Sequence, residues 1–338
     1  MTDQPEQQLA PPEADLDAIV GERRRLTGLA YRLLGSLAEA EDAVQETYAR
    51  WYALSRPQQD AVESPGAWLT TVATRVCLDL LGSARVRRER YVGEWIPEPL
   101  PARADRAEWL DGRPGSATSG ASGSADPADR VTLDESVSMA FLVVLESLTP
   151  AQRVALVLHD VFGFPFAEIA GITGRTPAAC RELASAARRR IRASLTAPET
   201  PAAQQARLVR KFKRAWDAQD IDALVGLLAP GATFTADGGG VVAAVLHPIE
   251  GAEGIARHLT DLSARASGGL TVAERTVNGR AGLVLQYGGE IAAVYAFEVA
   301  GSRVVGSQVA GSQVVDEGRI TRIWAVRNPA KLRSWAGS

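Results

Sequence analysis

The sequence predicts a multidomain chain, all-α through residue 196 and α+β from residue 203. Three observations predict it. Apolar residues recur with helical spacing between caps and glycine stops along the first part. A proline-rich hinge, Thr196–Ala203, then marks a change of pattern. Beyond it, runs of β-branched residues alternate with Gly, Asn and Asp turns, the mark of antiparallel strands. A length of 338 residues suits two or three domains.

Residues 1–14 are polar and proline-rich and read as a disordered leader. Leu16, Ile19, Leu26, Leu29, Ala30, Leu33 and Leu34 then repeat with helical spacing as far as Gly35, across the Arg23–Arg25 run. Ser36 caps the next helix, and Glu39 three residues on completes a capping box. That helix, over 38–51, is acidic at its start and aromatic at its end. Ser55–Glu63 reads as a polar loop. Pro65 opens a third helix through Trp68, Leu69, Val72, Val76, Leu78 and Leu81. It runs into Arg85, Arg87, Arg88 and Arg90, a run that by itself also suits a solvated helix end. Residues 15–95 make the first helical domain, and residues 96–128 a linker. The linker is stiff at Trp95-Ile-Pro97-Glu98-Pro99-Leu-Pro101 and flexible through the Gly/Ser tract at 112–126.

Helices resume over 128–148 and 148–161, within a second helical domain at 129–196. Its end carries the chemistry. A short amphipathic helix (Phe166, Ile169, Ile172) meets a Thr173-Gly174-Arg175 turn. A second helix starts with Thr176 as N-cap and Pro177 at the first helical position. Two helices joined by a short Gly-containing turn form a helix-turn-helix. On the second helix, Ala179, Leu183, Ala186 and Ala187 face one way and Arg181, Ser185, Arg188 and Arg192 the other. A solvated face has the same composition. The coincidence of turn, cap and basic stripe favours DNA, where arginine reaches base edges and phosphates.

The formal net charge of -3 qualifies that reading. Phosphate neutralisation supplies most non-specific affinity, so self-sufficient DNA binders are usually basic. The affinity of this chain is therefore local, conditional or borrowed from a larger complex. Cys77 and Cys180 form no C-x-x-C, and His159, His247 and His258 lack metal-ligand spacing. No metal or cofactor is expected. No signal peptide precedes the helices and no apolar run suits a bilayer, so a cytoplasmic protein without membrane contact is expected.

The third part, residues 203–338, opens with a helix carrying Phe212 and Trp216, then Ile221–Leu228. Strands are expected at 232–236, 241–246, 270–277, 281–287, 291–299 and 319–326. A Val-Ala-Gly-Ser near-repeat over 299–315 reads as a lengthened hairpin.

Residues 16–195 resemble an extracytoplasmic-function sigma factor. The resemblance rests on Asp42-Ala-Val-Gln45-Glu46, Pro65-Gly-Ala-Trp68-Leu69, a linker, Leu148-Thr-Pro150 and the helix-turn-helix. Trp95-Ile-Pro-Glu-Pro99, Asp237-Gly-Gly-Gly240 and Asn328-Pro-Ala-Lys-Leu332 narrow it to the subgroup with a fused SnoaL-like C-terminal domain. Ile96, Val241 and Ala330 depart from that subgroup's usual Leu, Lys and acidic residue.

The resemblance implies two all-α sigma domains, region 2 and region 4, followed by an α+β SnoaL-like cone with a curved antiparallel sheet. It implies core RNA polymerase and promoter DNA as partners. Glu41, Asp42, Gln45 and Glu46 would dock on the β′ clamp helices, and region 4 on the β flap. The loop at 55–63 and the helix through Trp68, Thr71, Arg75 and Asp79 would meet the −10 element; Trp68 itself also reads as core. Arg85, Arg87, Arg88 and Arg90 would contact phosphates. At −35, Arg181 would reach a base edge, with Thr176 and Ser185 beside it and Arg188 and Arg192 on phosphates. A regulatory contact would join Trp95, Pro97, Glu98 and Pro99 to Asp237, Gly238, Gly239, Gly240, Asn328, Pro329, Lys331 and Leu332. A cone of this type can hold a small hydrophobic ligand, and some members are cyclases or isomerases. Asp237 and His247 are the conceivable acid/base pair. Asp at a glycine turn has a structural reason of its own, so no catalytic residue is expected.

Overall fold

The computed structural model describes residues 13–88, 91–102, 137–194, 200–266, 269–301 and 318–335, with backbone only at 13–21 and 84–88. The first helices are α1 (Glu13–Leu34), α2 (Leu37–Tyr52), α3 (Arg56–Asp60) and α4 (Pro65–Arg88). Leu26, Leu29, Leu33, Ala40, Val44, Ala73 and Cys77 are buried between them. The stretch read as a polar loop contains α3. Pro57 favours its first turn, and Gln58 accepts a hydrogen bond from the Ser55 N–H at 2.9 Å, local chemistry sufficient for a short helix.

The next elements are α5 (Met139–Glu146), α6 (Pro150–Leu156), a π-helical turn (Val157–Val161), α7 (Phe166–Thr173) and α8 (Pro177–Ser194). Thr149 and Gln152 exchange the two bonds of a capping box at 3.1 and 3.3 Å. The helix expected over 148–161 thus ends in a π turn. The helix expected from 128 is described only from Met139, since residues 103–136 lie outside the described chain. Gly174 closes α7 in the left-handed conformation (φ 66), and Thr176 accepts from the Ala179 N–H at 3.2 Å. Leu33 and Leu34 of α1 share one apolar cluster with Leu142, Leu145, Val154 and Ile169. The two helical parts therefore have a common core.

The last part holds α9 (Ala202–Asp217), α10 (Ile221–Leu227), α11 (Ala252–Arg265) and strands β1 (Leu228–Asp237), β2 (Ile249–Glu250), β3 (Leu270–Val277), β4 (Arg280–Tyr287), β5 (Glu290–Ala300) and β6 (Arg319–Val326). The sheet order is β2-β1-β6-β5-β4-β3. The sheet is mixed, because β1 pairs with β6 in parallel while the other pairs are antiparallel. Only hairpin neighbours are obliged to run antiparallel, and β1 and β6 are joined through everything between them. No strand forms at 241–246: Gly239 and Gly240 turn the chain at φ 67 and 70, and Val241 is 80% exposed. Most of the 299–315 repeat lies outside the described residues.

Each face of the sheet is covered. On one, α9–α11 enclose Phe212, Trp216, Phe234, Tyr295 and Phe297, whose rings pack on one another with centroids 5.4–6.2 Å apart. The other carries Val277, Val284, Val294, Ala296, Trp324 and Val326. Ile96 of the linker and Met139 of α5 pack there with Leu332 and Trp335.

Candidate nucleic-acid interface and interdomain seam

On α2, Ala40, Ala43, Val44 and Thr47 point inward, so the 3.6 period turns Glu41, Asp42, Gln45 and Glu46 to solvent. Glu46 is paired with Arg50 at 2.9 Å. Beside this acidic face an apolar groove of about 350 Å³ is lined by Arg23, Val44, Gln45, Tyr48, Ala49 and Tyr52.

The promoter-facing candidates on α4 divide. Trp68 is half-buried, edge-on to Trp51 at 5.2 Å, and packs on the shared core. Arg75 is exposed, but its guanidinium donates to the Gly171 and Ile172 carbonyls at 3.1 Å each, near the end of α7. It ties the candidate −10 helix to the first helix of the helix-turn-helix. Arg85, Arg87 and Arg88 fall on the last turns of α4, and Arg90 lies outside the described residues. Between the two helical parts, buried Arg153 donates to the Leu33 carbonyl and to Glu146, both at 2.7 Å. Burial pushes its pKa down to about 10.

On α8, Arg181 and Arg192 are exposed and Ser185 is half-buried. Thr176 is exposed as the cap. Arg188 is held by Asp160 through bonds of 2.6 and 2.8 Å, so a phosphate would compete with that carboxylate.

The motifs from the linker, the glycine turn and the tail meet at one seam. Residues Ile96–Pro101 run extended and buried. Asp237 anchors them. Its Oδ2 accepts from the Ile96 N–H at 3.0 Å and from Lys331 at 2.7 Å; its Oδ1 accepts from the Tyr91 hydroxyl at 2.6 Å and the Gly239 N–H at 3.0 Å. Lys331 also donates to the Ile96 carbonyl at 2.5 Å and lies 4.0 Å over the Trp95 ring. Asn328 donates to Tyr91 at 2.8 Å, and the Trp335 indole donates to the Pro99 carbonyl at 2.9 Å. Burial, and then the Asp237 bond, raises the Tyr91 pKa well above its usual range. A Cβ at Gly239 would lie 2.5 Å from the Asn328 side chain, so this turn admits only glycine. Gly238 and Leu332 are buried, whereas Gly240 and Pro329 are exposed. Ile96 is fully packed despite its departure from Leu.

The other side of the linker meets the first helices. Glu98 accepts from the Leu37 N–H at 2.8 Å, and its own N–H donates to the Gly35 carbonyl at 2.8 Å. The Tyr31 hydroxyl donates to the Glu98 carbonyl at 2.7 Å. Gly35 is required here twice over, by φ 71 and by Trp95, whose ring would lie 2.8 Å from a Cβ. Burial raises the Glu98 pKa, against the opposing pull of the Leu37 N–H and Lys331. A raised folded-state pKa means that the folded state holds the proton more tightly. Glu98 thus contributes stability in acid, lost as pH rises from the ordinary Glu value of about 4.3 through the raised one. Melting curves should accordingly show Glu98→Gln gaining on the native chain as pH rises above the ordinary Glu value of about 4.3. A difference constant with pH would remove Glu98 as the titrating group.

Asn278 is a seam residue that sequence reasoning missed. It forms the β3–β4 turn with Gly279, both at positive φ (51 and 76), and is 1% exposed. Its amide donates to the Tyr31 hydroxyl and the Val137 carbonyl at 2.9 Å each and accepts from the Leu100 N–H at 3.0 Å. Its N–H donates to the Leu100 carbonyl at 2.9 Å. One side chain thus bonds the first helices, the linker and the segment leading into α5. Asn-Gly between strands signals a hairpin, but an exposed hairpin has the same signature.

Asp237 and His247 are not brought together. Asp237 is committed to the seam, His247 is exposed on the 241–248 loop, and among the described residues no hydrogen bond joins them.

Residues 19–87 match Sigma-70 region 2, residues 138–191 match Sigma-70 region 4, and residues 209–323 match the SnoaL-like domain. The ECF RNA polymerase sigma factor SigJ of Mycobacterium tuberculosis (strain ATCC 25618 / H37Rv) is 35% identical, over 92% of this chain and 90% of that one. The chain belongs to the extracytoplasmic-function sigma factors. The probable sigma factor SigI of the same strain is 40% identical over 62% of this chain and 65% of its own. The crystal structure of M. tuberculosis SigJ superposes with a TM-score of 0.68 at 30% identity, covering 94% of this chain and 98% of that one. This sigma factor is thus a transcription initiation protein with a SnoaL-like C-terminal domain. Among its described residues no helix is long and apolar enough to cross a membrane, and no His/Cys/Asp/Glu group suits a metal.

Proposed function

We propose that this sigma factor docks on core RNA polymerase in the cytoplasm through Glu41, Asp42, Gln45 and Glu46 on the β′ clamp helices and through region 4 on the β flap. The acidic face of α2 suits a basic partner and electrostatic steering. Arg75, Arg85, Arg87, Arg88 and Arg90 serve the −10 element; Thr176, Arg181, Ser185, Arg188 and Arg192 serve the −35 element. The SnoaL-like domain acts as a fused regulator, not as an enzyme, through its grip on the linker.

The observation that carries the regulatory part is the pair of Arg75 bonds to α7, at 3.1 Å. The two promoter elements lie about 25 base pairs apart, or about 85 Å at 3.4 Å per pair. Helices in hydrogen-bond contact do not reach both, so this is a closed form that opens on the polymerase. The seam supports it in two ways: it restrains opening, and it holds the linker that spaces the two DNA-reading parts.

Truncations separate these roles. Removing 328–338 takes away Lys331 and Trp335 and should raise run-off transcription by loosening the closed form. Removing everything after Thr200 should lower it by losing the support. Open-complex formation and core affinity are measured for both and for the full chain. If all three behave alike, the domain does not regulate initiation.

A further inference from the structure

Arg181 is exposed on α8 and, among the described residues, makes no hydrogen bond or ion pair. Its guanidinium carbon lies 5.4 Å from the ring centroid of Phe166, the first residue of α7. Phe166 is itself fixed. The His159 ring stacks on it at 4.0 Å and 26°, and His159 Nδ1 sits 2.9 Å from the Phe164 carbonyl. His159 belongs to the π turn, whose extra residue per turn re-aims side chains and recurs at functional sites.

Two arginines of one helix are therefore held in opposite ways. Arg188 spends donors on Asp160. Arg181 is held by a π face, which orients a guanidinium without consuming any of its N–H donors. An arginine positioned with its donors free is what a bidentate bond to guanine O6 and N7 in the major groove requires.

We propose that Phe166 is a positioning residue for promoter reading: it holds Arg181 for guanine at one −35 position. This rests on the reading of Arg181 as the base contact. Phe166 touches no DNA in this scheme and acts through Arg181 alone.

The test is transcription by the full chain with core polymerase over a promoter library randomised at −35, with Arg181→Ala, Phe166→Leu and Phe166→Trp. Arg181→Ala should abolish the guanine preference at one position. Phe166→Leu should weaken the same preference about 2- to 5-fold, the range of an exposed cation–π contact. The salt dependence of binding should stay unchanged, because no phosphate contact is lost. Phe166→Trp, with a better π face, should keep the preference. If Arg181→Ala changes the preference and Phe166→Leu does not, the positioning role falls while the base contact stands. An unchanged preference in Arg181→Ala overturns both. A uniform loss across the library in Phe166→Leu, or loss of the preference in a folded Phe166→Trp, marks an ordinary packing residue and overturns the proposal.

Discussion

Replacing Asp237 with alanine is expected to cost about 3–5 kcal/mol at the seam, the usual result of leaving one member of a buried ion pair behind. Lys331 is 7% exposed and would keep its charge beside Trp95 and the Ile96 carbonyl after losing the carboxylate that it bonds at 2.7 Å. The Ile96 N–H and the Tyr91 hydroxyl would lose their acceptor as well. The chain escapes most of that cost by letting the linker go, so the variant should open before it unfolds. Denaturant unfolding should split into two transitions, and proteolysis should reach residues 91–101. Lys331→Met in the same chain removes the charge that Asp237 balances and should recover a large part of the loss. A double-mutant cycle with no coupling between the two positions would show that the pair does not hold the linker.

Asn278→Ala is the second large effect. Alanine at φ 51 costs about 1–2 kcal/mol in left-handed strain. The Leu100 N–H and Val137 carbonyl are left buried without partners, at about 1–3 kcal/mol each. Asn278→Gly separates these contributions: it tolerates the backbone angle and lacks the amide, so it should be the milder of the two. Hydrogen exchange at Leu100 and in α1 near Tyr31 reports the opening directly. Equal protection in the native chain and both variants would mean that the hairpin merely rests against the helices.

What the sequence made legible was local. The helix-turn-helix could be read because Thr176, Pro177 and Gly174 act within a few residues of themselves. The rest is hidden where composition outweighs a local signal or where the deciding partner is distant. Ser55–Glu63 looked like a loop because its composition is polar, yet Pro57 and Gln58 start a helix there. Val241–Leu246 has strand composition but no ladder to join, since the preceding glycines turn it outward. Arg75 reads as a residue that meets the −10 element, and nothing local announces that it also ties α4 to α7. Its acceptors lie 96 and 97 residues away, beyond any periodicity. The motifs of the seam were visible through family resemblance, but the geometry joining them was not. Nothing near Asn278 in sequence announces Tyr31, 247 residues earlier.

That separation bears on how each molecule is made. The bonds between Leu100 and Asn278 join residues 178 apart in the chain. At about 5–20 residues per second, roughly 10–35 s pass between their emergence from the ribosome. During that interval the helical parts can fold while the linker has no sheet to lie on. The tail that brings Lys331 and Trp335 arrives later still. Every newly made copy therefore spends an interval with its helical parts complete and its linker not yet held by the seam.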